Sequence, residues 1–208
     1  MTNKDLIIEY LDELFPDARC ELNYNKDYEF LIAVMLSAQT TDKMVNSVTS
    51  VLFDKYDTLE KLSNADIEDI KRIIKPIGTH HKKSIFIKEI SMYLLDNCNG
   101  KVPNTKEELI KLPGIGVKTS NVVLSNLYDI PAIAVDTHVT RVSKRLGLAK
   151  DGDEPLVIEK KLEKVFPKDR WNRLHHQLVL FGRYKCKSIK PICDGCKFEK
   201  ICNYKNKY

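Results

Sequence analysis

No stretch of this 208-residue chain is apolar for long enough to cross a bilayer. The opening residues, MTNKDLIIEY, place acids among the apolar positions and lack a small-residue cleavage site. No secretory signal is therefore expected, and the expected localisation is cytoplasmic, on the nucleoid in a bacterium. Strand-like alternation is missing, and so are internal repeats and low-complexity tracts. Acids become scarce toward the C-terminus. From Arg183 to Tyr208 there are eight Lys/Arg and two acids, a local charge of +6 in a chain whose total is +5. A basic end on a near-neutral body fits either a polyanion, with nucleic acid first, or a solvated tail. Cysteine is sparse until that same region. Cys20 and Cys98 stand apart, whereas Cys186, Cys193, Cys196 and Cys202 crowd together. In a cytoplasmic protein such a group points to metal rather than to disulfides.

What is present is helical spacing, almost throughout. Leu6, Ile7, Tyr10, Leu11 and Leu14 form one face, ending near Pro16. Phe30 to Leu36 is apolar all round and reads as a buried helix. Met44, Val45, Val48, Val51 and Leu52 make the next stripe, capped by Thr41 or Asp42. Ile67, Ile70, Ile73 and Ile74 follow, with Ser63 or Asn64 as the expected cap and Pro76 as the stop. Ser84 to Leu95 closes at Asn99-Gly100. Thr105-x-x-Glu108 is a capping-box pattern for a short helix that must end before Pro113. Val117 to Tyr128, Thr137 to Leu146, Leu156 to Val165 and Leu174 to Phe181 complete the set. The fold class is all-α.

Pro113-Gly114-Ile115-Gly116 must turn the chain between two of these helices. The glycines permit backbone closed to other residues, and Ile115 between them suits a pin into the core. The next helix then offers free N–H groups and the positive end of its dipole, an anion site that fits a DNA phosphate. A phosphate-loop NTPase needs four residues between its glycines, an adjacent Gly-Lys-Ser/Thr and a preceding strand, and none of these is met. Lys118 stands where a helix start disfavours a cation. Two roles suit it: gripping a phosphate, or giving up its proton to act as an amine nucleophile that forms a Schiff base. Asp136, after the apolar run Ile133 to Val135, is placed to cap the following helix. A carboxylate among apolar neighbours can also stabilise a developing cation or take a proton.

The cysteine spacing is C-x6-C-x2-C-x5-C. Structural zinc commonly uses two separate knuckles. One C-x2-C with longer arms suits a four-iron cluster at least as well, and spacing leaves both metals open. Lys187 and Lys190 lie in the loop between the first two cysteines, where a metal-tied backbone would present them rigidly to phosphates.

LPGIGVKTSNVVL, AVDTHV, LSAQTTD and the cysteine tail together resemble the endonuclease III family, the bifunctional DNA glycosylase/lyases of the helix-hairpin-helix superfamily. The resemblance spans nearly the whole chain. It implies two helical domains flanking a DNA-binding cleft: a six-helix barrel with the hairpin over residues 20–130, and a discontinuous iron-sulfur domain over 1–19 and 131–208. It implies a 4Fe-4S cluster on Cys186, Cys193, Cys196 and Cys202, Lys118 as the Schiff-base lysine and Asp136 as the catalytic aspartate. Gln39 matches the residue that enters the gap left by a flipped nucleotide. Gly114, Gly116, Lys187 and Lys190 would hold the DNA backbone, and His138 would touch DNA opposite the lesion. The implied partner is double-stranded DNA carrying oxidised pyrimidines or abasic sites, met by a monomer. Thr79 departs from the pattern, because the family commonly has a bulky apolar wedge after Ile77-Gly78. Lys190 stands where the family has arginine, and Lys197 where it often has proline. An adenine-mispair relative lacks a lysine at the hairpin, so Lys118 argues against that activity. A thymine-mismatch glycosylase, a non-catalytic hairpin DNA binder and a zinc-stabilised adaptor remain as alternatives.

Overall fold

The computed structural model describes residues 2–204, and among these every regular element is helical. In chain order they are α1 (Asn3–Leu14), α2 (Asp27–Leu36), α3 (Asp42–Lys55), α4 (Leu59–Ser63), α5 (Ile67–Ile73), α6 (His80–Cys98), α7 (Lys106–Leu109), α8 (Val117–Leu127), α9 (Thr137–Arg145), α10 (Pro155–Val165) and α11 (Trp171–Leu180). A 3₁₀ turn, Lys168–Arg170, precedes α11, and a π-turn, Phe181–Lys185, follows it. The chain divides into two compact units. One is Glu21–Tyr128; the other joins the residues up to Cys20 with those from Asp129 onward. No helix among the described residues is long and apolar enough to cross a membrane.

The first unit is built around α2. Every residue from Tyr28 to Leu36 is buried, so its sequence, DYEFLIAVML, has no polar face. Helices α3, α6 and α8 pack against it. Buried Glu29 is satisfied at the helix start, where its Oε2 accepts the amides of Asn25 (2.8 Å) and Lys26 (3.3 Å). Thr41 caps α3 by accepting the Met44 amide at 3.3 Å. Thr105 caps α7 and also donates to the Glu108 carboxylate at 3.0 Å. The cap of α5 differs from the sequence expectation. It is Asp66, whose Oδ1 accepts the Glu68 amide at 3.1 Å. Ser63 and Asn64 instead close α4, each donating to the Glu60 carbonyl. Helix α6 opens at His80, ahead of the expected Ser84, because its first turn, HHKK, carries no apolar residue for a periodicity to catch.

The second unit wraps α1, α9, α10 and α11 around one core. Ile7 and Leu11 meet Val139, Val142, Ile158, Leu162, Leu174 and Leu178 there. Each such side chain contributes roughly 1.5–3 kcal/mol through burial. Asp12 ties α1 to the distant α11 region. Its Oδ1 pairs with Arg170 at 2.6 Å and accepts Gln177 Nε2 at 2.8 Å. Phe198, from between Cys196 and Cys202, enters this core edge-on to Tyr10 (4.9 Å between centroids) and Phe181 (5.2 Å). Trp171 packs on the same core and donates its indole N–H to the Phe166 carbonyl at 3.0 Å.

Candidate functional site

The hairpin is a succession of tight turns. Leu112 N donates to Leu109 O at 3.1 Å and Ile115 N to Leu112 O at 3.2 Å, while the Ile115 side chain is buried. The two glycines answer different demands. Gly114 has φ +76°, and a Cβ there would lie 2.8 Å from the Phe86 ring and 3.1 Å from Met35 Cγ, so the fold itself requires glycine. Gly116 has φ −101° and ψ −177°, ordinary extended backbone, and a Cβ there would meet nothing within 4 Å. Among the described residues no packing or backbone demand explains that glycine.

Capping makes the point sharper. Helices α1, α3, α4, α5, α7 and α9 each begin with a Thr or Asp whose side chain accepts a first-turn amide. Helix α8, like α2, α6, α10 and α11, starts without such a bond, and Gly116 has no side chain that could make one. The first bond inside α8 is Ser120 N to Gly116 O at 2.9 Å, so the amides of Val117, Lys118 and Thr119 come before it. A glycine that keeps those amides uncovered suits an external anion. Two substitutions separate the roles. Gly114→Ala is expected to cost about 2–4 kcal/mol, from left-handed strain plus the ring clash, read as a lower urea midpoint. Gly116→Ser is expected to leave stability equal or raise it by about 0.5–1 kcal/mol, since serine caps well. Its hydroxyl would occupy the amides that an external anion would use, so anion binding at this helix start should weaken about tenfold.

Lys118 lies in the first turn of α8 and is exposed. Its ammonium makes no hydrogen bond or ion pair among the described residues. Gln39 lies in the turn after α2, in left-handed backbone with φ +62°. Thr79 is also left-handed, at φ +60°, and caps α6 without a side-chain bond to it. A β-branched residue is rarely found there, and its hydroxyl donates back to the Gly78 carbonyl at 2.6 Å. Both side chains are exposed. Beyond Thr79 the His80 and His81 rings stack, 4.2 Å between centroids.

Asp136 belongs to the other unit and caps α9, Oδ1 accepting the Val139 amide at 2.8 Å. That single bond leaves Oδ2 without a hydrogen bond among the described residues. Two turns of α9 carry a relay of contacts that spacing did not reveal. His138 Nδ1 lies 3.2 Å from the Arg141 guanidinium. Arg141 in turn donates to the carbonyls of Gly182 (2.7 Å) and Cys186 (3.1 Å). Burial lowers the Arg141 pKa from its ordinary value. Arg145, one turn on, donates to Cys186 Sγ at 3.2 Å and to the Lys187 carbonyl at 2.7 Å, and stacks on Tyr204. Gly182 makes the approach feasible, since a Cβ there would fall 2.9 Å from His138 Cβ. His138 is thus fixed by its own helix and by the segment leading into the cysteines.

The middle of the cysteine loop is tied to α1. Tyr10 donates to the Gly195 carbonyl at 3.3 Å, and Lys197 pairs with Glu13. The four cysteines form no disulfide. Cys186, Cys196 and Cys202 lie within electrostatic reach of one another. Burial pushes the Cys186 and Cys196 thiols up, while N–H groups of Arg145 and Phe198 oppose that shift by donating to their sulfurs. Among the described residues no group of three or more His, Cys, Asp or Glu is arranged to hold a single metal ion. Lys187 and Lys190 are exposed in the loop, Lys190 with φ +50°.

An all-helical chain with a Pro-Gly-Ile-Gly hairpin, an uncovered helix start bearing a lysine and a capping aspartate matches a known class. The family model of the HhH-GPD superfamily base excision DNA repair proteins matches residues 32–168. The chain belongs to that superfamily. Endonuclease III of Bacillus subtilis (strain 168) is 43% identical over 198 residues, 95% of this chain and 90% of that protein. Endonuclease III of Escherichia coli (strain K12) is 41% identical over 201 residues, 97% and 95% of the two chains. The structure of a trapped endonuclease III–DNA covalent intermediate, an estranged-adenine complex, matches with TM-score 0.92 at 44% identity, over 98% of this chain and 96% of that one. A thermostable thymine-DNA glycosylase shares the fold, with TM-score 0.85 at 22% identity over 97% and 96%. Within the superfamily the chain is a member of the endonuclease III family.

Proposed function

We propose that this protein is a base excision repair glycosylase that removes oxidised pyrimidines from duplex DNA and then cleaves the abasic strand as a lyase. The observation that carries the reading is Lys118 on a helix start left uncovered by Gly116. The free amides of α8 bind a backbone phosphate, which leaves the Lys118 side chain available for the sugar. The Lys118 amine attacks C1′ of the damaged nucleotide. The C1′–N bond breaks, its electron pair leaves with the base, and the base takes up a proton. Asp136, with one oxygen capping α9, uses the other to stabilise the cationic sugar and to accept a proton from the attacking amine. The C1′–O4′ bond then breaks, O4′ taking up a proton, which leaves an imine between Lys118 and C1′; loss of the C2′ proton from that imine expels the 3′ phosphate. Water releases Lys118 from the product. Gln39 fills the space of the extruded nucleotide, Thr79 faces the stack beside it, and His138 contacts the strand opposite.

Cys186, Cys193, Cys196 and Cys202 fit a 4Fe-4S cluster. Four free thiols, three of them close to one another and two receiving N–H donors, are a set of sulfur ligands that would hold such a cluster once deprotonated. When bound, the cluster supplies four metal–thiolate links that fix the loop. Lys187 and Lys190 on that loop hold phosphates. Purified protein is expected to be brown with broad visible absorption; colourless protein with stoichiometric zinc contradicts the assignment.

Base release and strand cleavage on duplexes with thymine glycol, a bare abasic site or a mismatched thymine test the proposal. Thymine glycol should be excised and its strand cut. Excision of mismatched thymine alone would replace this reading with a mismatch glycosylase. Binding without release of any base would reduce the protein to a DNA-structure binder.

A further inference from the structure

Lys83 is the most deeply buried lysine that the chemistry above does not use. It sits in α6 with 5% of its surface exposed. No carboxylate meets it among the described residues. Its Nζ instead donates to two main-chain carbonyls, Leu36 at 2.9 Å and Ala38 at 2.7 Å. Burial pushes its amine below the ordinary lysine range, with nothing acidic to oppose the shift. For core filling alone, a methionine would occupy similar space without desolvating a cation. A buried cation facing only carbonyls needs another explanation.

The Leu36 carbonyl comes just before one tight turn and the Ala38 carbonyl lies within it. Thr40 N closes it on Ser37 O at 3.2 Å, and Gln39 inside it is left-handed. Left-handed backbone is strained for a non-glycine residue, so the turn relaxes unless something holds it. The Gln39 side chain is exposed and makes no hydrogen bond among the described residues, so it does not hold the turn itself. The Lys83 ammonium grips the carbonyls on both sides of Ser37, and the second of them, on Ala38, immediately precedes Gln39. It also meets the carbonyl end of α2, where a cation is favoured.

We infer that Lys83 is a positioning residue for Gln39: it locks the Leu36–Ala38 backbone so that the strained turn presents the glutamine amide ready-aimed at the gap in the duplex. This rests on the role proposed for Gln39. Lys83 touches neither base nor sugar and acts only through the turn. A preset amide enters the stack without first paying for the ordering of its loop.

The test is a double-mutant cycle on single-turnover release of thymine glycol, in the metal-loaded full-length protein. Lys83→Met keeps the volume and removes the donors; Lys83→Gln keeps a shorter N–H donor and removes the charge. Lys83→Met should slow release about tenfold, and Lys83→Gln less. In a Gln39→Ala background neither change should slow it further. Fluorescence of 2-aminopurine beside the lesion should show slower stack opening in Lys83→Met, with the same response in Gln39→Ala whether or not Lys83 is changed. Losses that multiply across the two sites would overturn the inference, and so would a wild-type rate in Lys83→Met. If Lys83→Met does not fold, Lys83→Gln decides by the same cycle. Absence of thymine glycol release by the wild-type protein is a separate failure, that of the proposed function.

Discussion

Lys118→Ala is expected to abolish the borohydride-trapped adduct with a thymine glycol duplex and to slow base release by on the order of 10³-fold or more. The argument is chemical. Borohydride reduces an imine to a stable amine, so trapping needs a carbon–nitrogen double bond between protein and sugar. Lys118 is exposed on the first turn of α8, with no carboxylate holding it as a cation among the described residues. Alanine is the best residue for a helix and takes no part in the Gly114–Ile115 turns, so stability should hold. DNA affinity should fall little, since the proposed phosphate contact is made by amides rather than by this side chain. An adduct of undiminished yield in Lys118→Ala would move the nucleophile elsewhere and return Lys118 to the role of a phosphate grip.

Asp136→Asn is the second large effect. Turnover should fall by about 10²–10⁴-fold, the range for losing a positioned charge and proton acceptor. Asparagine caps helices as well as aspartate does, so its Oδ1 can still accept the Val139 amide. The substitution therefore removes the charge and keeps the cap. Thermal unfolding should stay within about 0.5 kcal/mol of wild type, and the dissociation constant for lesion DNA within about threefold. Equal losses of stability and activity would make Asp136 a cap and nothing more.

The residues that carry this chemistry were legible where chemistry shows in local order. Pro-Gly-Ile-Gly, the lysine after it and the Asp-Thr-His start of α9 each announce a helix boundary by residue type alone. The buried α2 was readable because a helix without a polar face must lie inside. Four things were not readable. Helix α4, five residues long, is too short for an apolar period, and its terminating Ser63 and Asn64 read as the cap of the next helix. The first turn of α6 is wholly polar, so the apolar pattern begins late; α11 likewise opens on Trp171, three residues ahead of its first fully buried side chain. Lys83 reads as a solvent residue because a charge on a helix is normally outside, and only the fold brings the Leu36 and Ala38 carbonyls to it. Arg141, Arg145, Gly182 and Phe198 act across more than forty residues of chain or through close packing, and spacing holds no trace of that. The glycines divide the same way. Sequence pairs Gly114 with Gly116, while the backbone requires glycine at the first and makes no such demand at the second.

Mass spectrometry of the borohydride-trapped complex tests the central claim most directly. After digestion of protein and DNA, the reduced sugar remnant should sit on the ε-amine of Lys118, in the peptide that follows Pro113-Gly114-Ile115-Gly116. A remnant on any other lysine or on the N-terminal amine would contradict the account.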